Sequence, residues 1–407
     1  MGNEEIKKDL MKNDILKIPN KVSSNGLTKL YNILEVRKGD SLLDLELPLK
    51  NLDSDFSLLF SFIQLVSTWL RKSYSGNLIL PVSSVEEAIA YLNENEFVYP
   101  SITLCWNKEI KTLTGENVRL QLKNPSKEYF TKMDFYKLKG SSVPIYCFDH
   151  DKVSRGKSRV FYNNALELYD EGAMGFNLFN AYEKVSIHNL SFLRENLKGI
   201  IDDFNAIIHE AFMNTDEHAV TNEKGHYLYP NIRAVLLKFQ KKTIAGFKEN
   251  HKGFNGLLEY FDSNFNLNTQ NELFLIEISV LDSGPGLYKR YTRNSEYPDD
   301  LNEEINIIKD CLYRNNTSEI GGRRSVKGMG LDRILRVIDK KGFVRIRTGR
   351  ADVFRNMRKF EYEHHETAQD IQLYDSIKNS NKSFSTNACA EGTLISIFYP
   401  LELKRYE

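Results

Sequence analysis

Apolar residues in the first 185 positions recur in short, separated runs, and each run carries the period of one element. "SLLDLEL" (41–47) predicts a strand, and "DSDFSLLFSFIQLVSTWLRKSY" (53–74) predicts a strongly apolar helix N-capped by Asp53 or Ser54. "GNLILPV" (76–82) reads as a second strand bounded by Gly76 and Pro81. "SSVEEAIAYLNENEF" (83–97) reads as a helix with Ser84 and Glu87 at capping-box spacing. This strand–helix–strand–helix order predicts a small α/β unit. Between 98 and 185 the pattern thins. "SITLCW" (101–106) and "VPIYCF" (143–148) look like strands, and "NALELYDEGAMGFNLFNAYEK" (164–184) looks like a helix interrupted by Gly172 and Gly175. The change of character near 185 predicts two domains, 1–185 and 186–407.

Helical periodicity returns with "IIHEAFMNTDEHA" (207–219). At about 100° per residue, Phe204, Ile207, Ile208, Ala211 and Phe212 form one core-facing stripe, and Glu210, Asn214 and His218 recur every four residues beside it. Polar groups on such a margin cost free energy without partners. Either neighbouring loops satisfy them, or the row holds metal-binding and base groups about 6 Å apart on one helix edge. His209 points away from the row and reads as structural.

Three further elements follow. "LFLIEISVLDSGPGL" (273–287) is a β-rich run that stops at Asp282, where a D-x-G-x-G turn either simply reverses the chain or sets a carboxylate on a pocket floor. "SEIGGRRSVKGMGLDRILRVIDKKG" (318–342) is a basic, glycine-spaced loop that runs into a helix with Leu331, Ile334, Leu335 and Ile338 on one side. Such a loop is an ordinary helix entry or an anion site, because free amides and the positive helix end point to one place. "CAEGTLISIFYP" (389–400) is a strand introduced by Gly392 and Thr393.

Composition narrows the classes. Lysine plus arginine equals aspartate plus glutamate at 55 each, so net charge indicates neither a nucleic-acid nor a membrane partner. No stretch is apolar for the roughly 20 residues that a membrane span needs. The four cysteines, Cys105, Cys147, Cys311 and Cys389, form no CxxC pair, which disfavours a zinc site or a disulfide framework. With no apolar signal core in "MGNEEIKKDL", the expectation is a soluble cytoplasmic protein with reduced thiols.

Residues 41–97 resemble STAS-like domains, the fold of anti-sigma-factor antagonists, although "DSDFS" lacks the glycine of their D-S-x-G phosphorylation setting. Over 186–400 the four C-terminal elements together resemble the GHKL superfamily of ATP-binding domains. Glu210-x-x-x-Asn214-x-x-x-His218 is similar to the family's asparagine box, and Asp282-x-Gly284-x-Gly286 to its first glycine box. Gly328-x-Gly330-Leu331 is similar to the second glycine box, and Gly392-Thr393 to the closing strand. The resemblance implies an α+β chain whose C-terminal Bergerat-fold sandwich, a mixed sheet with helices on one face, follows the smaller α/β domain. It also implies ATP and Mg²⁺ as cofactors. By the resemblance Asn214 would hold Mg²⁺ and Glu210 would be the general base. Asp282 would accept from the adenine amino group with help from Thr393, and Gly284 and Gly286 would keep the floor open. Lys327, Gly328, Gly330 and Leu331 would hold the phosphates, under a lid at about 288–327.

Departures from the pattern shape the functional expectation. Glu210 stands where histidine kinases generally carry Asn, and His188 lacks the usual acidic neighbour of a phosphoacceptor, so autophosphorylation is disfavoured. Relatives with a transducer domain receive a lysine from it; here the cation would come from the lid, where Arg323, Arg324 and Lys327 are candidates, or from a partner. Polar insertions around 242–271 and 351–388 read as solvated loops or as a docking surface. The expected function is slow ATP hydrolysis whose closure switches the N-terminal domain, a protein partner or a second copy. The alternative is a serine/threonine kinase or nucleotide-gated regulator of the anti-sigma type.

Overall fold

The computed structural model describes residues 11–12, 14–37, 41–50, 52, 55–72, 74–150, 156–186, 197, 199–313 and 330–402. Strands β1 (Met11–Lys12), β2 (Ile15–Lys17), β3 (Asp44–Glu46), β4 (Leu78–Ile79) and β5 (Ile110–Lys111) form one sheet in that order. All its pairs are parallel except β1 with β2. Parallel neighbours require crossovers, and helices supply them: α1 (Ser24–Val36), α2 (Leu58–Arg71), α3 (Val85–Glu94) and α4 (Val98–Leu104). Ser84 caps α3 as expected, accepting from the Glu87 amide, while Glu87 accepts from that of Ser83.

Two local expectations change. The segment 101–106 lies mostly in helix α4 rather than in a strand. Ser101 and Thr103 return hydrogen bonds to the carbonyls of Phe97 and Tyr99 four residues back, and burial of Ile102 and Leu104 outweighs strand propensity. Helix α2 starts at Leu58, and the two amides just before it are served by distant residues. The Ser57 amide donates to Glu277 Oε1 at 2.9 Å and the Phe56 amide to His251 Nε2 at 3.0 Å. Asp53 and Ser54 lie outside the described residues.

The rest of the chain adds α5 (Lys123–Asp134), β6 (Ser142–Cys147), α6 (Glu171–Ser186), α7 (Ile201–His218), β7 (Arg233–Thr243), α8 (Ile244–Asn250) and α9 (Asn255–Phe261). Next come β8 (Glu272–Asp282), α10 (Leu287–Thr292), α11 (Leu301–Leu312), α12 (Gly330–Val337), β9 (Phe343–Gly349), β10 (Ala351–Asn356), β11 (Tyr374–Asp375) and β12 (Ala390–Leu401). The second sheet runs β11-β10-β9-β12-β8-β7-β6. The fold class is α+β. The expected mixed sheet with one covered face is corrected on both counts. Every pair in this sheet is antiparallel.

Successive side chains point to opposite faces of this sheet, and its strands carry apolar residues at both parities, so both faces need cover. Val235, Ile346, Ile395 and Tyr399 share the face on which α6 and α7 pack, where Tyr399 meets Phe204 of α7 edge to face. Leu275, Phe343, Phe354 and Phe398 share the other face, covered by α2 and by Phe247, Leu257, Tyr260 and Phe261 of α8 and α9. The insertion at 242–271 therefore contains a second aromatic core rather than a solvated loop.

Packing does not break at residue 185. Strand β6, expected in the first domain, is the edge of the second sheet and pairs with β7 along its length. Helix α2 bonds to both sheets: Trp69 donates to the Leu43 carbonyl before β3, and Gln64 to the Glu391 carbonyl in β12. Hydrophobic period reports an element's own shape but not the strand it pairs with. Among the described residues, no helix is long and apolar enough to cross a membrane, and all four cysteines are free.

Candidate functional site

The long strand β8 ends on Asp282, which lies opposite Thr393 of β12 on one side and Arg233 of β7 on the other. Asp282 Oδ1 accepts from the Gly284 amide at 2.8 Å and from the Thr393 amide at 3.3 Å. The side chain is only 9% exposed. Burial pushes its carboxyl up to about 6, against the two amide donors and the nearby Arg233 charge.

Two glycines are required by close approach. A Cβ on Gly284 would come within 2.7 Å of the Ala219 Cα, immediately after α7. A Cβ on Gly392 would collide with the Asp282 carbonyl, and its φ of +70° is one that glycine alone takes without strain. Gly286 precedes α10, whose first amide, Leu287, donates to Thr348 Oγ1 at 3.0 Å. Thr348 Oγ1 also lies 3.2 Å from Thr393 Oγ1. Thr348 of β9 thus joins the site from a strand that sequence reading passed over, since a threonine near a strand end carries no distinguishing signal.

Helix α7 brings the polar row. Phe204, Ile207, Ile208, Ala211 and Phe212 are buried as expected, and Glu210, Asn214 and His218 are half-buried. Burial raises the Glu210 carboxyl; His209 and Arg333 oppose the shift, while Glu171 adds to it. Arg333 of α12 is itself paired with Glu171 of α6 at 3.0 Å. His218 Nδ1 lies 3.3 Å from Arg290 Nη2 of α10, which ties the end of the row to the helix after the glycine turn.

A buried polar chain anchors the base of this arrangement. Arg233 forms a two-point pair with Asp149, at 2.9 and 2.5 Å, and its Nη1 lies 2.9 Å from Asp216 of α7. Tyr162 also takes a hydrogen bond from Arg233 Nη1 at 2.6 Å and donates to Asp216. Asn231 donates to Asp149 and accepts from Ser283 Oγ at 2.6 Å, so the glycine turn joins the same chain. Sequence reading singled out none of Asp149, Tyr162, Asn231 and Arg233, because their partners lie far away in the chain.

Of the residues singled out beforehand, Asp282, Gly284, Gly286 and Thr393 come together at one end of the second sheet. Glu210 and Asn214 lie on α7, whose end is in contact with that turn. Gly330 opens α12, which packs on α7, and the Leu331 side chain is buried. Lys327 and Gly328 lie outside the described residues, as do Arg323, Arg324, His188 and the later part of the expected lid. Comparison with protein-family models, with curated proteins and with solved structures finds no match to this chain.

Proposed function

We propose that this chain is a Mg²⁺-dependent ATP-binding protein of the GHKL type, with a Bergerat-fold site that hydrolyses ATP slowly. The observation that carries the reading is the buried Asp282 carboxylate at the end of β8, hydrogen-bonded through the Thr393 amide to β12 and walled by Gly284 and Gly392. A carboxylate so held accepts from an exocyclic amine.

On α7, burial raises the Glu210 carboxyl, the direction that suits a general base acting on water. Asn214 offers one hard oxygen. Among the described residues no cluster of three or more His, Cys, Asp or Glu side chains could hold a metal alone. A single amide oxygen fits Mg²⁺, which usually fills its shell with phosphates and water and would neutralise phosphate charge here.

Closure would be felt by the N-terminal part through α2. Arg71 Nη2 donates to the Ser283 carbonyl at 3.4 Å, and Thr68 Oγ1 accepts from the Glu391 amide at 3.0 Å, next to Gly392. That contact also favours a second reading, in which the product is a phosphorylated or sequestered protein partner of the anti-sigma type. Incubation with γ-labelled ATP and Mg²⁺ separates the two. Free phosphate that Glu210→Ala abolishes supports hydrolysis, and label retained on protein supports the kinase. Unchanged ATP affinity in Asp282→Asn sinks both readings.

A further inference from the structure

A cavity of about 460 Å³ opens between α4, α5 and the residues following β6, and no residue of the Asp282 site lines it. Its size is that of a small-molecule pocket. Five rings line it: Tyr99, Trp106, Phe130, Phe135 and Tyr229. Two of them are placed at a cost, since Phe135 is 49% and Tyr229 62% exposed. Both the buried Tyr99 and the exposed Tyr229 have ring neighbours. Tyr99 stacks on Tyr129 at 4.6 Å, and Tyr229 stands edge-on to His150 at 5.3 Å. His150 Nδ1 lies 3.0 Å from both the amide and the carbonyl of Asn231, and its Nε2 lies 3.2 Å from the Thr103 carbonyl. The imidazole is therefore fixed in place as one wall of the cavity.

Charge at the mouth and polarity inside differ in kind. Lys123 and Lys127 sit at the exposed rim, and among the described residues neither forms an ion pair. Deeper, Asp134 accepts from Ser158 Oγ at 2.5 Å, and the buried Ser126 Oγ has no partner among the described residues. Aromatic walls take a planar ring by stacking and edge contacts, the ammonium groups take an anion, and Asp134 with Ser126 takes a donor on the ring.

We propose that this cavity binds a small aromatic carboxylate that also carries a ring amine or hydroxyl. The site is separate from the nucleotide reading and stands or falls without it. Titration calorimetry on the full chain with anthranilate tests it, with cyclohexanecarboxylate and aniline as probes that each lack one half of the recognised chemistry. Anthranilate should bind one to one with Kd on the order of 100 μM, the range open to a ligand of that size, and each control at least about tenfold more weakly. Lys123→Ala/Lys127→Ala and, separately, Tyr229→Ala should each weaken anthranilate by about tenfold while the far-UV circular dichroism is kept. Asp282→Asn should leave its affinity unchanged. The proposal is overturned if anthranilate gives neither heat nor a saturation-transfer signal, if cyclohexanecarboxylate binds equally well, if either variant binds as the unaltered chain does, or if Asp282→Asn abolishes binding.

Discussion

Arg233 Nη1 lies 2.9 Å from Asp216 Oδ1, and this pair ties β7 to the side of α7 away from the polar row, at a position that falls in the chain between Asn214 and His218. Arg233 is fully buried. The orientation of the row is thus set by a cation in the floor of the sheet as well as by the helix's own apolar stripe.

Replacing that cation should be costly. Arg233→Met leaves Asp149 and Asp216 without their partner, and breaking a buried pair of this kind typically costs about 3–5 kcal/mol. Urea denaturation should show that loss. Arg233→Lys should restore little, since an ammonium cannot reproduce the two-point contact with Asp149.

Asp282→Asn should separate stability from binding. The folded carboxyl titrates near 6 against an ordinary value of 3.8, so the folded state holds its proton more tightly than the unfolded chain. Stability from this group therefore falls as pH rises from about 4 to about 6, and above 6 the buried charge exerts its full penalty. At pH 7.5 the variant should be more stable by roughly 1–3 kcal/mol, a gain that disappears by pH 4. ATP affinity should fall in the same variant, and thermal melts with and without nucleotide read both effects.

Glu210→Gln should keep ATP and Mg²⁺ binding but slow phosphate release by about 10²–10⁴-fold, the usual worth of a general base. Asn214→Ala should instead weaken the Mg²⁺ dependence of nucleotide binding. Equal turnover in Glu210→Gln and the unaltered chain would remove Glu210 from the chemistry.

His251 sets an opposite pH trend at the start of α2. Burial lowers its pKa from 6.5 to about 4, while Nε2 accepts from the Phe56 amide and the other ring nitrogen lies 2.6 Å from the Phe247 carbonyl. The unfolded chain therefore takes up the proton first. The contribution is present above 6.5 and is lost as pH falls from there to about 4, by up to ~3 kcal/mol. His251→Asn should flatten that part of the stability curve, which single-variant denaturation at pH 7 and pH 4.5 measures.

Arg71→Ala should weaken the link between nucleotide and the N-terminal part. In the unaltered chain, ATP with Mg²⁺ should slow amide exchange in α2, because Arg71 touches the Ser283 carbonyl; the variant should show a smaller change. Identical exchange in both would exclude this contact as the route.

Elements with a strong period of their own were legible in advance. The stripe of α7 from Phe204 to Phe212, the end of β8 at Asp282, the Ser84 cap of α3 and the side of α12 formed by Leu331, Ile334 and Leu335 were all read from local spacing. Local spacing failed where a segment's environment was decided by residues far along the chain. Segment 101–106 became helix against α2, β6 joined β7, and the phenylalanines of α8 and α9 covered a sheet face.

The candidate site divides along the same line. Sequence alone put Glu210 and Asn214 on a helix, Asp282 at a strand end and Thr393 on a strand, because hydrophobic period and turn chemistry act over a few residues. Tertiary structure alone decided that Thr348 stands beside Thr393, that Arg233 grips α7 through Asp216, and that Glu277 and His251 serve the two amides just before α2. These are buried polar contacts between distant parts of the chain. Each exists because a polar group taken out of water must find a partner, and only the folded arrangement determines which partner is within reach.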